Sequence, residues 1–320
     1  MHYPTDTNLL FDALRKVIQL SAKASKEYDL AGWGKSGYHL RLLKRLLRRT
    51  QKVKPSTSPD EQKQAKRKKE REKAYCQYLA QAQVLMQRGQ ETLFKLQAVA
   101  EPPLPMTVDL ACFLGHAQRQ IDQIQRRVLQ AETIPHNQKV FSLFQPHTEW
   151  LCKGKAGVPV ELGLNTCILE DQYGFILHHK VMVGQTDDAV ALPLVKETQK
   201  RFPNLRQCSF DTGFYTPNNQ VKLQALLDLL VLPVKGTPSK DQTVLEASEP
   251  FVAARRKHAA VESAINALEV HGLDRCPDHG LDGFKRYVAL AVVARNIQIL
   301  GALLQKKEVK AHKRQQKKAA

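Results

Sequence analysis

The chain has 320 residues, with 49 Lys+Arg against 31 Asp+Glu, a formal charge of +18 and a sequence pI near 9.7. A hydrophobic share of 42% is enough for a real core and excludes a disordered chain, and a mean hydropathy of −0.40 argues against an integral membrane protein. No apolar run is read as approaching the roughly 18 to 20 residues a spanning helix needs, and MHYPTDTNLL has neither the basic nor the apolar region of a signal peptide. A cytoplasmic globular protein is expected. The positive excess points to a polyanion, with nucleic acid as the commonest such partner. Six cysteines, Cys76, Cys112, Cys152, Cys167, Cys208 and Cys276, show no metal-ligand spacing and read as free thiols.

In chain order, Leu9, Leu10, Ala13, Leu14, Val17 and Ile18 recur at helical spacing, as do Leu42, Leu43, Leu46 and Leu47. Asp6 is taken as the N-cap of the first helix. Gly32-Trp33-Gly34 with Gly37, and Pro55-Ser56-Thr57-Ser58-Pro59, break the pattern. Asp60 caps a long polar helix that Pro102, Pro103 and Pro105 end, and another helix is expected over residues 108–130. Strand signals follow at 140–144, then a hairpin of 162–169 with 175–183. A helix at 187–201, a strand at 206–210, a helix at 218–229, a strand at 230–234 and helices at 252–270 and 281–304 complete the pattern. The fold class is therefore α/β, with a sheet carrying helices on its faces and a large, mostly helical N-terminal segment. Three regions are expected: 1–134 helical, 135–304 α/β, and a disordered basic tail at 305–320.

Residues 35–73 hold fifteen Lys/Arg and four acids. Arg48, Arg49, Lys66, Arg67, Lys68 and Lys69 could neutralise phosphates there, and contact with nucleic acid is favoured over a merely solvated face. Gly34-Lys35-Ser36 is not a phosphate-binding loop, because Asp29 stands where that loop needs its first glycine. Asp211 follows the strand Arg206-Gln207-Cys208-Ser209-Phe210, the place where α/β sheets put their chemistry; taken alone, a turn or capping role is the stronger reading. The spacing of His258, Glu262, Ile265 and Glu269 sets them on one helical face. Glu262, among basic residues, is either a surface ion-pair partner or a metal ligand, and spacing does not choose.

Taken together, Ser209-Phe210-Asp211-Thr212-Gly213-Phe214-Tyr215, Ala260-Val261-Glu262-Ser263-Ala264-Ile265-Asn266 and His271-Gly272-Leu273-Asp274-Arg275-Cys276 resemble bacterial insertion-sequence transposases of the DDE type, ISNCY group. His2-Tyr3-Pro4-Thr5-Asp6, Phe144-Gln145-Pro146-His147-Thr148-Glu149-Trp150 and Lys153-Gly154-Lys155-Ala156-Gly157 extend the resemblance over nearly the whole chain. It implies a ribonuclease-H-like catalytic core, with the helical region inserted after the first core strand. Three carboxylates would hold Mg²⁺, or Mn²⁺ in its place, with Asp211 as the second acid and Glu262 as the third. The first acid is expected on a strand ahead of His2-Tyr3-Pro4, so this chain is expected to lack it and to be inactive alone. Asp6 is the conceivable stand-in. Arg255 and Arg256 would contact phosphates. The implied partners are DNA (element ends and target) and further copies of the chain, in the bacterial cytoplasm at the nucleoid, with no membrane. The alternative is a non-catalytic DNA-binding remnant, or a truncated product that interferes with an intact transposase.

Overall fold

The computed structural model describes residues 4–99, 103–152, 160–258, 260–273 and 275–319. His2, Tyr3, Lys153-Gly154-Lys155-Ala156-Gly157 and Asp274 of the motifs above, and Ala259 of the expected helix over 252–270, lie outside the described residues. The chain divides into two compact units, Met1–Pro146 and His147–Ala320.

The first unit is built from four helices, α1 (Asp6–Glu27), α2 (Ser36–Lys52), α3 (Glu61–Gln97) and α4 (Leu104–Ile124), the last continuing as a π-helical turn, Gln125–Leu129. The helical periodicity of α1 places Leu10, Leu14 and Ile18 on one face, fully buried against Leu43 of α2, Tyr78 and Leu85 of α3, and Ile124 of α4. The glycine-flanked turn after α1 does more than break a helix. Trp33 is buried there, its indole N–H donates to Thr92 Oγ1 at 2.8 Å, and the Arg88 guanidinium stacks on its ring at 4.7 Å. Gly32, with φ of +127°, supplies the backbone this requires, and its carbonyl accepts from Arg88.

Two details differ from expectation. Thr5, not Asp6, caps α1, its hydroxyl accepting from the Asn8 N–H. Asp6 instead binds the Arg127 fork, Nε to Oδ2 at 2.6 Å and Nη2 to Oδ1 at 2.8 Å. Both residue types make good caps, and the tertiary partner decides between them. The expected strand at 140–144 is irregular chain, because Leu143 and Val140 are drawn into the helical core rather than toward a partner strand. The first compact unit runs to Pro146.

The second unit is mixed helix and strand. β1 (Glu149–Cys152) pairs antiparallel with β2 (Val160–Gly163), and β3 (Thr166–Glu170) pairs antiparallel with β4 (Ile176–Val181). At the β3–β4 turn, Asp171 Oδ1 accepts from the Tyr173 and Phe175 N–H groups, and Gly174 takes φ of +89°. Then follow α5 (Asp187–Arg201), β5 (Gln207–Ser209), α6 (Pro217–Gln224) and β6 (Leu229–Val231), with β5 and β6 parallel. Ala191 and Val195 of α5 pack on Phe210, Leu223, Leu230 and Leu232, while Val190 and Leu194 pack on Cys167 and Leu169 of β3. One helix thus seals both strand pairs, although the strands form three two-stranded sheets among the described residues rather than one. The fold is mixed α/β and predominantly helical.

The C-terminal part is α7 (Lys240–Glu246), with a Ser239/Gln242 capping box, α8 (Glu249–His258), α9 (Ala260–Leu268), a π-helical turn Glu269–Leu273, and α10 (Gly280–Ala319). The expected helix over 252–270 is described as helix on both sides of residue 259, and the π-helical turn takes over at Glu269. The tail expected to be disordered continues α10: after Gly301 it contains no glycine or proline and is rich in Lys, Gln and Ala, all strong helix formers. Within α10, Gly280–His312 is long and apolar enough, by length and composition, to cross a membrane, which corrects the reading of the sequence. Residues 287–304 carry Arg295 as their one charged residue.

Candidate active site and basic surfaces

Asp211 stands directly beyond β5. The strand pairing reaches the residue before Asp211, the Phe210 N–H donating to the Val231 carbonyl at 2.8 Å. Asp211 precedes a 3₁₀ turn, Thr212–Phe214, but its side chain makes no capping bond. The Asp211 carbonyl accepts from the Phe214 N–H at 3.1 Å, so the turn role holds and side-chain capping does not. The carboxylate is 77% exposed, and its Oδ1 lies 3.1 Å from His258 Nε2 at the end of α8. With its proton on Nε2, His258 donates to Asp211.

A second carboxylate stands beside this turn. Asp187, first residue of α5, sits so close over Gly213 that a Cβ there would meet Asp187 Oδ2 at 2.8 Å. Burial raises the Asp187 pKa first, and the charges of Asp211 and Asp188 raise it further. Asp187 and His258 are the residues that sequence reasoning missed as neighbours of Asp211. Nothing in the sequence marks Asp187, since an acid in the first turn of a helix is ordinary.

Glu262 lies in the first turn of α9, exposed, and makes no hydrogen bond or ion pair with another described residue. Glu269 falls in the π-helical turn rather than on the same regular face. Among the described residues, no group of three or more His, Cys, Asp or Glu side chains is arranged to hold a metal ion. The donor chemistry of Asp211, Asp187 and Glu262 nevertheless suits a hard divalent cation, and the repulsion between Asp187 and Asp211 is of the kind such a cation relieves. Asp6 is already engaged. It belongs to the first unit, its carboxylate is 12% exposed, and both oxygens are bound by Arg127.

The basic residues separate into free and engaged groups. On α2, Arg41, Arg45, Arg48 and Lys52 follow one another at three- and four-residue steps on the solvent side, with Leu43 and Leu47 buried opposite, and the helix contains no acid. Arg48 makes no ion pair with a described residue, while Arg49 donates to Gln77 Oε1 at 3.1 Å. In α3 the first buried residue is Ala74, so residues 61–73 form a solvated arm bearing Lys66, Arg67, Lys68 and Lys69. Arg67 has a structural task there: it donates to the carbonyls of Lys54 (3.2 Å) and Lys52 (3.4 Å), tying the end of α2 to the arm. Lys68 pairs with Glu72 at 4.0 Å. Lys66, Lys69, and Arg255 and Arg256 at the end of α8, are exposed and make no ion pair with a described residue.

No family of known proteins, no curated protein and no solved structure matches this chain.

Proposed function

We propose that this protein acts on DNA, as a phosphoryl-transfer protein of the DDE transposase kind. What carries the reading is the placement of Asp211, an exposed carboxylate at the end of a parallel strand pair beside a second carboxylate, Asp187. In this reading Asp211 and Glu262 hold Mg²⁺, with Asp187 as the further oxygen donor and His258 orienting Asp211 through its ring N–H. Bound Mg²⁺ would polarise the scissile phosphate and activate the attacking oxygen. Arg255 and Arg256, one to two turns from Glu262 along the chain, would neutralise phosphates beside it, and the α2 stripe of the first unit would bind duplex in its own right. The proposed scope includes the ribonuclease-H-like core, hydrolysis at element ends followed by strand transfer, and assembly of several copies on DNA in the cytoplasm.

A second reading, a DNA-binding protein without catalysis, is favoured by one observation: Glu262 is not drawn into contact with Asp211. Both readings require salt-sensitive binding. The test is fluorescence anisotropy of the full chain with a labelled duplex over a salt series, comparing wild type with Arg45→Gln/Arg48→Gln/Lys52→Gln. For every phosphate that the variant no longer neutralises, the slope of log K against log salt should fall by about 0.9. Binding insensitive to salt, or a slope the triple variant leaves unchanged, would remove the basic stripe from the account. Cutting separates the two readings.

A further inference from the structure

The long α10 helix uses only one of its sides within this chain. Val288 and Val292 are buried, Val292 against Ile176 of β4 and Leu268 of α9. The Asn296 amide grips the edge of β4, donating to the Ile176 carbonyl and accepting from its N–H, each at 2.9 Å. Ile299 lies against Gly174 in the β3–β4 turn. The other side is apolar and uncovered: Leu290 is 66% exposed, Val293 53%, Ile297 64%, Leu300 50% and Leu304 51%.

The spacing of those five is three, four, three, four. At about 100° per residue they fall within an arc of about 80°, narrower than the stripe of 100° or more that a helix shows a globular core, and matching the seam of a coiled coil. Ala294 and Gly301, small residues, flank it and permit close approach of another helix. Such a seam is self-complementary. Charge at its two ends chooses the direction. Arg286, which also binds Asp278 Oδ2 at 2.9 Å within the chain, and Glu308 both lie on the seam side, eleven residues either side of Ile297. Antiparallel pairing centred on Ile297 sets Arg286 of one copy opposite Glu308 of the other and brings Asp282 beside the basic stretch after Glu308. Parallel pairing would stack Arg286 on Arg286, Lys307 on Lys307 and the basic ends on each other.

We infer that the exposed seam of α10, Leu290, Val293, Ile297, Leu300 and Leu304, is a dimerisation surface for a second copy of this chain, the two helices running antiparallel about Ile297. Dimerisation through this seam does not depend on the DNA-acting role.

The test is sedimentation velocity of the nuclease-treated full chain at about 20 μM and about 0.5 M salt, where screening to about 4 Å removes polyanion bridging and mutual repulsion. The expected result is a species of twice the 36.2 kDa chain mass. Ile297→Asp and, separately, Leu300→Asp should each raise the dissociation constant on the order of a hundredfold, with helical circular dichroism unchanged. Should either substitution disturb the fold, disulfide trapping replaces it: Leu290→Cys protein mixed with Leu304→Cys protein should yield a link between the two substituted positions. A monomeric wild type, a dimer indifferent to both Asp variants, or trapping of position 290 to itself would overturn the inference. So would a monomer that floats with phosphatidylcholine vesicles through this helix, which would assign the face to lipid.

Discussion

Two glycines in the first unit should respond in opposite directions to the same substitution. Gly89 lies inside α3, where an added Cβ would meet Val17 Cγ1 at 2.6 Å and Leu114 Cδ2 at 3.0 Å. Gly115 lies inside α4, is exposed, and an added Cβ would meet nothing within 4 Å. Alanine gains about 1 kcal/mol over glycine in either helix interior. At Gly115 that gain stands alone. At Gly89 the methyl collides with a β-branched side chain that has little rotamer freedom, and overpacking costs about 1–3 kcal/mol. The net at Gly89 is a loss of about 1 kcal/mol, with close contact between α1, α3 and α4 as its cause. For a unit of this size each kcal/mol moves Tm by about 2–4 °C, so Gly115→Ala should melt a few degrees higher and Gly89→Ala a few degrees lower. The assay uses the two tryptophans. Trp33 is buried in the first unit and Trp150 lies in the second, so thermal unfolding followed by fluorescence in a Trp150→Phe background reports the helical unit alone. If Gly89→Ala stabilises as much as Gly115→Ala, the helices do not approach as described.

Further consequences follow from burial and charge. Burial pushes the Cys167 and Cys208 thiols up to about 12, so both should resist alkylation at neutral pH while exposed Cys76, Cys112 and Cys152 react, as peptide mapping after iodoacetamide treatment will show; labelling of Cys208 at the rate of Cys112 would contradict the packing of half-buried Cys208 on the core beneath α5. His39, His116, His178 and His179 all have pKa values lowered first by burial, with nearby positive charge adding to the effect and, at His178, the Glu197 carboxylate opposing it. The unfolded chain therefore binds more protons below about pH 6.5, and stability should be complete above that value and decline as pH falls through it. Asp187 and Glu170, raised by burial, act with the opposite sign nearer carboxylate pH, so urea midpoints should be compared between about pH 7.5 and 6; a midpoint that rises on acidification would refute the histidine account. Arg127→Ala should cost about 2 kcal/mol, because it leaves the nearly buried Asp6 carboxylate without its fork, and Arg127→Lys should recover only part of that. Equal stability of Arg127→Ala and wild type would show the pair to be solvated.

The helices of the first unit were legible because their periodicity is strong and their ends carry clear signals. Asp60 caps α3 as its position suggests, accepting from the Gln62 and Lys63 N–H groups. The β3–β4 turn was readable from Asp171 and Gly174, and α5 from the acid-rich start and basic end of its sequence. Other features depend on partners distant in the chain. Whether Thr5 or Asp6 caps α1 is decided by Arg127, 121 residues on from Asp6. The approach of Asp187 and His258 to Asp211 joins three elements, and no local pattern encodes it. The helical tail was misjudged for a different reason: a run of like charges suggests repulsion and disorder, yet Lys, Gln and Ala favour helix, and α10 arrives already nucleated. The apolar length of α10 was masked by its single arginine and its amides, which interrupt the run by eye while leaving the helix apolar on average.

The measurement that bears most directly on the DNA-acting role is nicking of supercoiled DNA by the full chain with Mg²⁺ and with Mn²⁺, set beside Asp211→Asn, Glu262→Gln and Asp187→Asn proteins whose DNA affinity is checked in parallel. With Asp187 serving as the oxygen donor in place of the acid the resemblance sets ahead of His2, the predicted result is metal-dependent nicking that Asp211→Asn and Glu262→Gln abolish while binding persists. Nicking that survives both substitutions would contradict it, and salt-sensitive binding with no nicking under either metal would leave the non-catalytic DNA-binding reading in its place.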